Sequence, residues 1–262
     1  MAHGDQATPE RVGLTMRLRV IGCGDAFGSG GRANTCFWVE CGKTVAALDF
    51  GATSLVELKR AGLDHDQLDV VILSHLHGDH FGGLPFLLLD AQFERKRERP
   101  LTIVGPVGTR ERIHAALEVF FPGSSQVAWS FALSFVDLPC REPYPFADLA
   151  IESVEVIHPS GAPATGLRVR CGDKLLAFSG DTAWTDALFD IAKGADLFIV
   201  ECFMPDGDPY GHGALETLDA HRNQFQTDHI MLTHMSPAML GRMDEARARG
   251  FLVAHDGLVH EV

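Results

Sequence analysis

Three imidazoles and a carboxylate fall within six residues at His75-Leu76-His77-Gly78-Asp79-His80. Nitrogen and oxygen donors packed that densely suit zinc or a similar borderline-soft ion better than a solvated capping turn. The turn follows an apolar, strand-like run at residues 70–73, and four further runs end in the same way. Residues 154–157 lead to His158, 175–180 to Asp181, 197–200 to Glu201 and 230–233 to His234. Ligand sites in open α/β architectures collect at the carboxyl ends of strands, so these side chains are expected to share one cleft.

The elements that must position them are legible in outline. Met16-Arg17-Leu18-Arg19-Val20-Ile21 alternates apolar and basic residues, the mark of a half-buried strand. A hairpin-like pair follows at 35–40 and 45–49, then strands alternate with helices. Helices are expected over 53–61, 84–97, 109–120, 184–192, 213–223 and 239–249, and β segments over 127–138 and 149–157. Neither a linker nor a repeat of 20–50 residues interrupts the pattern. The reading is one α/β domain over 16–262, its sheets covered by helices, behind a loose tail at 1–15.

Composition narrows the function. The 262 residues carry 22 Lys+Arg against 35 Asp+Glu, a net charge of −13, with 46% hydrophobic and 22% charged residues. That balance excludes a disordered chain and argues against a broad surface tracking nucleic-acid phosphates. No apolar run approaches the ~18 residues needed to cross a bilayer, and no signal-peptide core stands at the N-terminus. A cytoplasmic protein without a membrane partner is expected. Six cysteines without a CxxC pair are then expected as free, mostly buried thiols. The run Arg95–Arg99, beside Glu94 and interrupted by Glu98, reads as a solvated helix end. His65, His114, His221, His229, His255 and His260 show no converging partners and are expected at the surface or behind the site. The glycine-rich loop at 22–31 lacks the spacing of a dinucleotide fingerprint and the Gly-Lys-Ser/Thr of a P-loop.

The segment Ser74-His75-Leu76-His77-Gly78-Asp79-His80-Phe81-Gly82-Gly83 closely resembles the signature turn of the metallo-β-lactamase superfamily. Asp49-Phe50-Gly51, His158, Ser179-Gly180-Asp181-Thr182 and Thr233-His234-Met235-Ser236 follow in that superfamily's order. Within it, the chain is most similar to the ribonuclease Z branch. The resemblance implies a four-layer αββα sandwich of two mixed sheets flanked by helices. It also implies two zinc ions, with manganese or iron(II) as alternatives. His75, His77 and His158 would hold one ion, Asp79, His80 and His234 the other, and Asp181 would bridge them. A bridging hydroxide would attack, with Asp79 in the catalytic set and Glu201 and His212 as candidates for delivering the leaving-group proton. Arg32 and Asn34 are candidate substrate contacts. Relatives of this branch often pair as homodimers, which makes a dimer an expectation by analogy.

One departure matters. The long glycine- and proline-rich arm with which ribonuclease Z grips tRNA would be expected between Arg170 and Leu176, where only Cys171-Gly172-Asp173-Lys174-Leu175 stands. The missing arm and the acidic balance together favour a compact hydrolase of a small phosphodiester or related ester. The alternatives are a carboxylic ester, lactone or β-lactam hydrolase, a ribonuclease Z-like tRNA 3′ nuclease, and a non-catalytic metal-binding sensor. The first is disfavoured because His158-Pro159-Ser160-Gly161 does not match the Gly-His-Thr-x-Gly turn of such enzymes.

Overall fold

The alternation at the start of the first strand is realised. Met16, Leu18 and Val20 are buried while Arg17 is exposed, and the strand pairs antiparallel with its successor from Met16↔Cys41 onward. The computed structural model describes residues 13–207 and 211–262. Most of the tail expected at 1–15 therefore lies outside the described residues.

The first sheet takes β1 (Met16–Gly22), β2 (Cys36–Cys41), β3 (Thr44–Leu48), β4 (Val70–Ile72), β5 (Leu101–Gly105) and β6 (Leu133–Asp137) in sequential order. The second takes β7 (Tyr144–Phe146), β8 (Leu149–Glu155), β9 (Thr165–Cys171), β10 (Lys174–Phe178), β11 (Ala195–Glu201), β12 (Thr227–Thr233) and β13 (Leu252–Val253). The chain then returns to the first sheet, laying β14 (Val259–Glu261) antiparallel on β1. Each sheet begins with antiparallel hairpins and continues with parallel strands, β3 to β6 and β10 to β13. The parallel strands are what deliver several carboxyl ends to one edge.

Between the sheets lies a core that includes Leu18, Phe37, Leu48, Ile72, Leu176, Phe178 and Ile199, with the Phe37 and Phe178 rings edge to face at 5.2 Å. Two outer cores lie under the helices. On the first sheet these are α1 (Ser54–Arg60), α2 (Gly78–Phe81), α3 (Leu84–Leu89) and α4 (Thr109–Phe120). On the second they are α5 (Ala187–Ala192), α6 (Leu215–His221), α7 (Pro237–Leu240) and α8 (Met243–Ala248). The result is the expected αββα sandwich.

Several expectations are corrected. The helix expected to Arg97 stops at Leu89 and widens into a π-turn over Asp90–Glu94. The helix expected over 239–249 is two, broken at Gly241-Arg242, and the β segment expected from 127 begins only at Leu133. Within the expected solvated run, Arg97 is 2% exposed. Its guanidinium donates to the carbonyls of Arg99, His65, Asp66, Leu68 and Pro100, tying the π-turn to the start of β5. Five carbonyl acceptors compensate a burial that a lone charge would not survive. His65 is buried too, its Nε2 2.7 Å from Asp90.

Nor are all the cysteines free. Cys41 at the end of β2 and Cys171 at the end of β9 form a disulfide, while Cys23, Cys36, Cys140 and Cys202 remain thiols. The bond staples one sheet to the other and closes a loop spanning 130 positions. Loop-closure entropy on that scale is worth about 5 kcal/mol, so Cys41→Ser is expected to lower the melting temperature by about 10–20 °C. Alkylation of denatured, unreduced protein followed by mass spectrometry should mark four cysteines, and six after reduction. In the native fold Cys140 should react first, because burial pushes Cys23 and Cys36 up to about 12.

Candidate metal centre

Each donor stands where a strand gives out. His75 lies three residues beyond β4, and Ser74 before it is held by Asp49, whose carboxylate accepts from the Ser74 backbone N–H and hydroxyl, both at 2.7 Å. His77 caps α2, a single turn that carries Asp79 and His80. His158 follows β8, Asp181 follows β10, Glu201 ends β11 and His234 follows β12. Gly180 (φ 60°) makes the turn into Asp181, where a Cβ would lie 2.7 Å from the Thr165 carbonyl. Asp49 and His234, both at φ 57°, also sit in the left-handed region, a conformation costing roughly 1 kcal/mol or more for side-chain-bearing residues.

These turns bring all seven expected ligands together. His75, His77 and His158 form one group, and Asp79, His80, Asp181 and His234 another. Asp181 reaches into both. Its carboxylate lies 3.3 Å from His80 Nε2 and from His234 Nε2, and 3.9 Å from the Nε2 atoms of His75 and His158. A third group, Asp181, Glu201, His212 and His234, adjoins these.

Tautomers decide what the cluster can hold. His75 Nδ1 faces the Ser74 hydroxyl at 3.1 Å; that hydroxyl already donates to Asp49, so the ring nitrogen is the donor. His80 Nδ1–H donates to Asp49 at 2.6 Å, and His158 Nδ1–H to the Gly211 carbonyl at 3.0 Å. In all three rings Nε2 is left facing inward, which is how histidine ligands are oriented. Burial would lower His80, but Asp181, Asp79 and Asp49 raise it well above the usual imidazole range, so at that Nε2 a bound cation would replace a proton. His75 Nε2 and His80 Nε2 are buried and make no hydrogen bond, and His158 Nε2 points at His77 Nδ1 from 3.1 Å. Converging imidazole lone pairs beside two buried carboxylates fit divalent cations of the zinc type.

The electrostatics agree. Burial and the neighbouring His80 hold His75 well below the usual imidazole range, so it stays neutral. Burial would raise Asp181, but His234 and His80 outweigh it and hold the carboxylate well below its usual range. Burial would pull His234 down, yet Asp181, Asp79 and Glu201 push it up to about 10. Without a cation the carboxylate-rich half recruits protons, and a bound cation would displace them.

Glu201 and His212 come together as expected. Glu201 is 1% exposed, accepts from the Thr182 backbone N–H, and takes His212 Nδ1–H at 2.8 Å. The His212 ring stacks on Phe203 at 4.7 Å between centroids. Burial lowers His212, but the hydrogen bond and charge of Glu201 prevail and its affinity for a proton is raised. Arg32 and Asn34 behave differently. The Arg32 guanidinium is spent on Cys23 Sγ, Met243 Sδ and the Ala254 carbonyl, and the buried Asn34 amide on the Asp25 carbonyl. They hold the glycine-rich loop together instead of offering groups to a substrate. The residue that spacing did not single out for a role is Asp49, whose carboxylate orients both His80 and Ser74. Asp49→Asn is expected to weaken zinc binding about 10–100-fold in a chelator-competition titration.

Residues 16–257 match the family described as Anti-Pycsar protein Apyc1. The chain belongs to that family. It is similar to the probable metallo-hydrolase YhfI of Bacillus subtilis (strain 168), 26% identical over 84% of this chain and 87% of that one. The YhfI crystal structure, described as a metallo-β-lactamase fold protein, superposes with a TM-score of 0.77 at 24% identity, covering 95% of this chain and 100% of that one. Human tRNase Z, short form, aligns at TM-score 0.75 and 22% identity, covering 93% and 98%. A diphosphatase from the PhnP family aligns at 0.74 and 19%, covering 94% and 98%. The chain is thus a metal-dependent hydrolase of the metallo-β-lactamase superfamily, related to ribonuclease Z. Among the described residues, no helix is long and apolar enough to cross a membrane.

Proposed function

We propose that the chain hydrolyses a small phosphodiester. The observation that carries this reading is the Glu201–His212 pair, 2.8 Å apart, with His212 Nδ1 also 3.9 Å from Asp181 in the donor cluster. An alkoxide leaving phosphorus needs a proton, and a histidine whose Nδ1–H is held by a buried carboxylate offers one from Nε2. His75, His77, His158, Asp79, His80, Asp181 and His234 would hold two divalent ions, zinc first among the candidates. Such ions supply a water deprotonated near neutral pH and neutralise charge on a phosphoryl oxygen. Glu201 keeps His212 protonated, the Thr182 N–H keeps Glu201 in place, and the Phe203 stack fixes the plane of the ring.

The size of the substrate is read from the surface. β9 and β10 are joined by Gly172-Asp173 alone, with Cys171 paired to Lys174, where a tRNA-gripping arm would have to emerge. The −13 balance also disfavours a long polyanion. Neighbours named a diphosphatase and a tRNase support phosphorus chemistry over carboxylic esters. The test assays bis(p-nitrophenyl) phosphate, a p-nitrophenyl carboxylic ester and a pre-tRNA side by side, with Asp79→Ala as control. Hydrolysis of the phosphodiester, lost in the variant, is expected; cleavage of the pre-tRNA alone would overturn the proposal.

A further inference from the structure

A second feature opens beside the loops that carry His75, His77 and His158. Between the first turns of α4 and the loop after His158 lies a cavity of about 590 Å³, walled by Leu76, Val107, Arg112, Ala115, Gly161 and Pro163. Two of its walls belong to the donor cluster's own loops. Leu76 stands between His75 and His77, and Gly161 and Pro163 come three and five residues after His158. The volume is that of a small-molecule pocket and the lining is mainly apolar.

Its one cation is idle. In a chain with a large carboxylate excess, Arg17, Arg60, Arg95, Arg99, Arg141 and Arg249 are each paired with Asp or Glu. Arg112 makes no ion pair or side-chain hydrogen bond among the described residues, although Glu111 lies beside it on the cavity wall. The guanidinium lies against Gly161, its Nη2 3.2 Å from where a Cβ would be, and Gly161 holds φ +71°. A glycine there leaves the guanidinium its place in the cavity.

We infer that this cavity takes the non-reacting end of the substrate, an apolar group bearing a negative charge, and that Arg112 reads that charge. The inference rests on the phosphodiesterase reading above. A guanidinium facing a carboxylate or phosphate across an apolar floor forms the stronger, charge-assisted kind of hydrogen bond. Substrates with a distal anion are therefore selected over uncharged ones.

The test compares p-nitrophenyl 4-carboxybenzyl phosphate with p-nitrophenyl benzyl phosphate, which differ only in the distal charge. The wild-type protein should prefer the carboxylate by kcat/KM. Arg112→Ala should lower that preference about ten-fold, chiefly through KM, Arg112→Lys should keep part of it, and Arg112→Glu should reverse it. A preference unchanged in Arg112→Ala and Arg112→Glu would overturn the inference. Calorimetric binding of the matching methylphosphonates, 4-carboxybenzyl against benzyl, to metal-stripped protein reads the same discrimination without turnover. If neither ester is hydrolysed, the phosphodiesterase reading fails, while the binding ratio still decides the role of Arg112.

Discussion

Asp181→Ala is expected to lose phosphodiester hydrolysis by about 10⁴-fold and to lose bound metal with it, while keeping its far-ultraviolet circular dichroism. The size of the effect follows from position. The Asp181 carboxylate is within 3.3 Å of two of the histidines and 3.9 Å of three more, on both sides of the cluster. Removing it leaves His80 and His234 with Asp79 as their one shared carboxylate among the described residues and separates the two donor groups. Asp181→Asn keeps the shape but not the charge, so it should retain folding and lose most of the metal. Metal quantified beside kcat/KM checks this; an Asp181→Ala protein with full metal and near-normal turnover would contradict the bridging role.

His212→Ala should act differently. The proton it carries matters only when the departing oxygen is a poor leaving group. For a phosphodiester with an alkyl leaving group, kcat is expected to fall about 10³-fold, and for p-nitrophenolate, which departs without a proton, less than about ten-fold. Metal content should be unchanged. His212 also groups with Asp181, Glu201 and His234 closely enough to share a cation, so the metal measurement separates the two roles. Equal losses on both leaving groups together with lost metal would make His212 a ligand.

The residues of the centre were legible because the sequence places each at the end of an apolar run, and strand ends are where chemistry gathers. What spacing could not give depends on how distant elements meet. Cys41 and Cys171 lie at the ends of β2 and β9, which face each other only once the two sheets are stacked. Arg97 sits amid charges that suggest solvent, yet the π-turn after Leu89 carries it inward onto five carbonyls. Asp49 was visible as part of a motif, but its work on Ser74 and His80 depends on a left-handed backbone that no local pattern announces. Arg32 and Asn34 read as candidate substrate contacts, but contacts with Cys23, Met243 and Asp25, set only by the folded loop, consume them.

Metal content set against turnover tests the central claim most directly. The purified protein is assayed by inductively coupled plasma mass spectrometry and against bis(p-nitrophenyl) phosphate, stripped with a chelator, and titrated back with zinc or manganese. The expected result is two divalent ions per chain, with hydrolysis lost on stripping and recovered as the ions return. Undiminished hydrolysis by the metal-free protein would contradict the account.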